Sequence, residues 1–170
     1  MKKVILFFIL NLVCFANAQI TKQDKFHDLT EVDFQALKKF LLSKNLEVRD
    51  TIFIKYDYNR ESCWNFLDTQ NDDRIKNVMT LFQKNISDFN KNHPGAVAFN
   101  FREPGKAINK LKLRDETIII DDELVLKKLI FSKKMECGNS AIIFDDGSYI
   151  LRFSDPHFDL LPATKNSSRP

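Results

Sequence analysis

Sulfur is the element with most chemical potential in this chain. Of its three cysteines, Cys14 falls inside an N-terminal segment that reads as an export signal, which leaves Cys63 and Cys137. Each stands at the edge of a predicted strand. An exported chain with an even number of thiols most often joins them in a disulfide. A cysteine at a strand-to-helix turn is also where a reactive thiolate is stabilised by the helix N-terminus. The residues alone leave three readings open: a structural staple, a redox-active pair with Cys63 as nucleophile and Cys137 as resolving thiol, or two unlinked thiols. Beside Cys63, the single tryptophan Trp64, with Arg60, Glu61 and Asn139, is a candidate wall of a binding cleft. Asp57 at the same strand end is a candidate to tune a thiol, because ligands of α/β sheets collect at strand C-termini. The plainer alternative makes Trp64 a core residue and the charged positions a solvated turn.

Other chemistries find no support. His27, His93 and His157 are scattered, with no cysteine or carboxylate at metal-ligand spacing, and His93 before Pro94 reads as a helix terminus. Asp68 to Asp73 lacks the alternate-residue acids and central glycine of a calcium loop, so it reads as negative charge at a helix start. No Gly-x-Ser-x-Gly, phosphate-cradling glycine loop or His-Glu-x-x-His occurs. No metal and no cofactor is expected.

Lys2 and Lys3, the apolar run Val4 to Val13 interrupted only by Asn11, and Ala16-Asn17-Ala18 form the basic, apolar and small-residue sections of a cleaved secretory signal. The run is shorter than the ~20 residues that cross a bilayer, so no permanent membrane anchor is expected. Val13 is bulkier than the residue a lipoprotein peptidase favours before a lipidated cysteine, which argues against Cys14 as a lipid site. The mature chain is expected to begin at Gln19 and to be periplasmic or secreted. Its charge is close to neutral: removing Lys2 and Lys3 takes 26 basic residues to 24 against 23 acidic ones, for a net +1. Acidic and basic residues alternate, so nucleic acid is excluded as a partner; a protein or peptide of unspecified identity is the expected one.

The sequence divides into a signal (1–18), a flexible start (19–28), one α/β domain (29–155) and an irregular tail (156–170). Thr30-Glu31-Val32-Asp33 resembles a capping box opening a helix that carries Phe34, Leu37 and Leu41 on one face and ends near Asn45. Thr51 to Tyr58 alternates as a strand, apolar on one face and turning polar on the other. Positions 75, 78, 79, 82, 86 and 89 form a helical stripe that stops at Asn92-His93-Pro94-Gly95, and Ala96 to Phe101 is the next strand. Strand, helix and strand in that order predict a parallel crossover. Ala107 to Leu113 is ambiguous, Thr117 to Ile120 is a short strand, and Asp121 to Glu123 open a helix with Lys127, Lys128, Lys133 and Lys134 toward its end. Ala141 to Phe144 and Tyr149 to Phe153 flank Asp146-Gly147, a hairpin signal. Asn166 to Pro170 reads as disordered.

This order of elements, with the closing segment Gly138-Asn139-Ser140-Ala141-Ile142-Ile143-Phe144-Asp145-Asp146-Gly147-Ser148-Tyr149, resembles a thioredoxin-like domain preceded by an extra helix. The resemblance covers roughly residues 50 to 153. Cys63 lies near the position of that family's redox cysteines, although the chain has one cysteine where the family has Cys-x-x-Cys, and Asn139 or Ser140 where the family has a cis-proline. The resemblance implies a thioredoxin-like sheet with flanking helices and a terminal hairpin. It also implies that the turn carrying Cys63 and the loop before the hairpin are neighbours, so that Cys63 and Cys137 are bonded. The expected role is binding or accessory, with an atypical thiol-disulfide oxidoreductase as the alternative.

Overall fold

Alternation along Thr51–Asp57 sends Ile52, Ile54 and Tyr56 to one side and Phe53, Lys55 and Asp57 to the other, and all six are buried. A strand buried on both faces belongs in the middle of a covered sheet. A computed structural model of the chain, describing residues 24–59, 63, 67, 69–106, 115–135 and 137–162, places it there. The elements in chain order are β1 (Lys25–Asp28), α1 (Glu31–Ser43), β2 (Thr51–Asp57), α2 (Asp72–Asn92), β3 (Ala96–Arg102), β4 (Ile119–Ile120), α3 (Val125–Leu129), β5 (Asn139–Phe144) and β6 (Ser148–Arg152). They form one mixed sheet in the order β1-β6-β5-β2-β3-β4.

The predicted crossover is present: β2 and β3 pair in parallel from Thr51↔Ala96 to Asp57↔Arg102, with α2 between them in the chain. β5 runs antiparallel to β2, and β6 returns antiparallel to β5 through a turn whose Gly147 has φ 82°, a conformation glycine adopts without a steric cost. Thr30 caps α1 by accepting from the Asp33 N–H at 3.1 Å. Asn71 caps α2 by accepting from the Arg74 N–H at 2.9 Å.

The sheet carries a core on each face. Phe34, Leu37, Phe40 and Leu41 of α1 and Leu126 of α3 pack with Ile52, Ile54, Tyr56 and Phe101 on one face. Ile75, Phe82 and Phe89 of α2 pack with Phe53, Ala98, Ile142 and Ile150 on the other.

Three expectations are corrected. Lys25–Asp28, expected to be loose, is an edge strand paired antiparallel with β6. The strand expected over Thr117 to Ile120 is reduced to Ile119–Ile120. The helix opened by Asp121 to Glu123 starts only at Val125, because Leu124 has φ 58°, and it ends at Leu129, leaving Lys133 and Lys134 in the following loop. The described part of the tail, 156–162, folds onto the domain: Phe158, Leu160 and Leu161 are buried in the α2-side core. Residues 1–18, expected to be an export signal, lie outside the described residues, as do Ala107 to Leu113 and Asn166 to Pro170.

Candidate functional site

Cys63 and Cys137 are joined in a disulfide, with Cα atoms 5.1 Å apart across a sequence separation of 74. Both cysteines are half-buried. The bond ties the β2–α2 connection to the residues that open β5, at the C-terminal end of β2.

Three groups of side chains gather at the C-terminal ends of β2 and β3 and the start of β5. The first is Lys55 and Asp57, which alternation places on the α2 side of β2 and which form a buried ion pair, Nζ to Oδ1 2.7 Å. Gly138 packs directly against this pair. A Cβ at that position would collide with Lys55 Nζ and Asp57 Oδ1 and lie 2.7 Å from the Tyr56 carbonyl oxygen, so no other residue fits beside Cys137 without displacing charged groups. Next along the same face stands Ser140, paired by register with Lys55 on one side and Arg152 on the other. Its hydroxyl is fully buried and has no hydrogen-bond partner among the described residues. Arg152 in turn makes a two-point ion pair with Asp24, Nε–Oδ1 2.7 Å and Nη2–Oδ2 2.8 Å, anchoring the residue before β1.

The second group lies on the opposite face. Tyr56 stacks on Phe131 with ring centroids 4.8 Å apart, and its hydroxyl donates to the fully buried Asp121 carboxylate at 3.0 Å. Burial, reinforced by the Asp121 charge, pushes the Tyr56 phenol well above its ordinary range. Asp121 also accepts from the Leu126 and Lys127 N–H groups at 3.3 and 2.9 Å, so one carboxylate caps α3 and fixes Tyr56. Tyr58 sits 2.9 Å from the Phe131 and Lys133 carbonyls and accepts from Asn139 Nδ2 at 2.9 Å.

The third group binds the ends of β2 and β3. The Glu103 N–H donates to the Asp57 carbonyl at 2.9 Å, and the Glu103 carboxylate accepts from the Asn59 N–H at 3.1 Å and pairs with the Lys127 ammonium. Burial works against the Glu103 charge, but those two donors outweigh it and hold the carboxyl below its ordinary range.

Of the residues singled out in the sequence, Cys63 and Cys137 are brought together. Asn139 is fully buried rather than exposed beside a cleft: Nδ2 donates to Tyr58 and to the Lys133 carbonyl, and Oδ1 accepts from the Ser154 N–H at 3.1 Å. Arg60, Glu61 and Trp64 lie outside the described residues. The sequence reading missed the Lys55–Asp57 pair, since two opposite charges two apart on a strand read as a solvated face, and it missed Gly138. The signal available was the glycine beside a cysteine at a strand start, a position where close backbone approach is common.

A cleft of about 300 Å3 opens elsewhere, between α2 and the β3–β4 edge, lined by Phe82, Ile86, Phe99, Asn100, Asp115 and Ile119 among others. Neither cysteine lines it. His93 caps α2 and stacks on Phe89 at 4.3 Å, and His27 stacks on Tyr149 at 5.0 Å. Among the described residues no three His, Cys, Asp or Glu side chains are placed to hold a metal ion, and no helix is long and apolar enough to cross a membrane. Comparison of the chain with protein-family models, with curated proteins and with solved structures finds no match.

Proposed function

We propose that this chain is an exported thioredoxin-like domain whose Cys63–Cys137 bond is a structural staple and whose role is to bind a protein or peptide rather than to catalyse. The observation that carries the reading is the setting of the bond. It joins two connections 74 residues apart over a floor in which Gly138, Tyr58 and Asn139 are packed and hydrogen-bonded, an arrangement suited to holding shape. The chain-entropy account gives about 4 kcal/mol for closing a loop of that size. Thioredoxin-like character is supported by the element order: a parallel β-α-β unit, a short helix, and a hairpin antiparallel to its first strand. Export is supported by the basic start, the short apolar run and Ala16-Asn17-Ala18.

A second reading, an atypical thiol-disulfide oxidoreductase, is favoured by one feature. Both cysteines are only half-buried, and the Lys55–Asp57 pair underlies the residue next to Cys137, so a thiolate there would form close to a fixed charge. The two readings separate on one substitution. Under the staple reading, Cys63→Ser lowers stability and leaves partner binding intact; loss of a disulfide reductase activity with stability retained would favour the oxidoreductase.

A further inference from the structure

Two of the C-terminal tail's supports lie on opposite sides of the disulfide. On the Cys137 side, the Asp155 N–H donates to the carbonyl of Gly138 at 2.7 Å, and the Ser154 N–H donates to Asn139 Oδ1 at 3.1 Å. On the Cys63 side, Leu67, four residues further along the chain and fully buried, belongs to the same apolar cluster as Phe158, Leu160 and Leu161. The tail is shaped by its own hub: the buried Asp155 carboxylate accepts from the Asp159 N–H at 2.7 Å and the Leu160 N–H at 3.2 Å. That fold is held under backbone strain. Ser154 and Phe158 have φ of 55° and 62°, a region costly for side chains of their kind. Phe158 then reaches Phe82 and Phe53, with ring centroids 5.1 and 6.3 Å away.

We propose that the Cys63–Cys137 bond is the latch of a C-terminal strap. The bond holds together the two half-platforms on which residues 154–162 sit, so the dithiol form keeps its sheet while the strap comes off and uncovers the Phe53 and Phe82 surfaces beneath Phe158. The inference rests on the bond as a structural element and names what it holds in place. The sheet has independent support, since the β2–β3 and β2–β5 ladders do not pass through either cysteine. Beyond the latched platform the strap is held by Phe158 against Phe82 and Phe53 and by the burial of Leu160 and Leu161, and its two left-handed positions, Ser154 and Phe158, work against those contacts. Closing the latch removes two electrons and two protons from the cysteine thiols, which an external disulfide oxidant takes up as it becomes a dithiol. Dithiothreitol reverses the step, donating two electrons and two protons to the protein sulfurs and cyclising to its own disulfide.

Amide hydrogen exchange on the mature protein, before and after reduction with dithiothreitol and blocking of the thiols, tests this. The expected result is at least tenfold faster exchange at the amides of Asp155, Asp159, Leu160 and Leu161 in the dithiol form, with the β2 and β3 amides slowed or unchanged relative to them. Asp155→Ala, which removes the hub and leaves the bond intact, should show the same fast tail in both redox states. Unchanged tail protection after reduction overturns the latch. Equal acceleration of tail and sheet also overturns it, while leaving the staple reading in place. A thiol count on the untreated protein tests the bond itself, so failure of the bond and failure of the latch give different results.

Discussion

Gly138 is the residue on which the site turns. Its missing side chain lets the chain beside Cys137 lie against the buried Lys55–Asp57 pair. Overpacking of this kind costs roughly 1–3 kcal/mol, and here the displaced atoms are charged, so Gly138→Ala should lower the urea midpoint of unfolding with little change in slope. Breaking the pair is expected to be costlier. Asp57→Leu leaves the Lys55 ammonium buried against an apolar neighbour, a loss of about 3–5 kcal/mol in comparable cases, and adding Lys55→Met should recover part of it. A double-mutant cycle on these two positions checks the recovery. Glu103 gives a pH dependence. Its folded carboxyl is held below the ordinary range, so its stabilising contribution is present above the unfolded value and is lost as pH falls through the folded one. Glu103→Gln should therefore be less stable than wild type at neutral pH, and the difference should shrink in acid. At this scale the sequence showed the cysteines and little else. Neither Lys55 nor Asp57 declares itself buried in a linear reading, because Gly138, which packs against the pair, comes much later in the chain.

At the scale of elements, legibility followed length and pattern. α2 was readable because its apolar stripe recurs from position 75 to 89, with acidic residues before it and a stop signal at Asn92-His93-Pro94-Gly95 after it. Removing the cap by Asn71→Ala should cost about 1 kcal/mol, measured by thermal or urea unfolding. β1 was not readable: Lys25–Asp28 is four residues, all exposed, and becomes a strand only because β6 offers a partner edge and Arg152 holds Asp24. Replacing Arg152 with methionine leaves the Asp24 carboxylate without that donor and should release β1 first, visible as faster amide exchange at Lys25 and His27. α3 fell short of its sequence expectation because Leu124 enters the left-handed region, and a single five-residue turn then depends on Asp121 for its cap. The parallel pairing of β2 and β3 was legible because a strand, a long amphipathic helix and a second strand leave few other ways to bury the helix stripe.

For the whole molecule, the order of elements predicts an α/β domain with a parallel crossover, and the structure adds a core on each face of one sheet. The coupling between distant parts was not visible in it. The tail, the β2–α2 connection and the start of β5 meet at the disulfide, and three segments separated by tens of residues cannot be seen to converge from periodicity alone. In a domain stabilised by only about 5–15 kcal/mol, a crosslink worth about 4 kcal/mol is a large share. The staple reading therefore makes the bond hard to reduce as well as stabilising. The most direct test is the reduction potential of the Cys63–Cys137 bond in the purified protein, read by titration against defined thiol–disulfide buffers. The prediction is a value below about −300 mV, the range of structural disulfides. A value in the range of about −120 to −270 mV, where redox-active dithiols lie, would contradict the account and make the pair an exchange site.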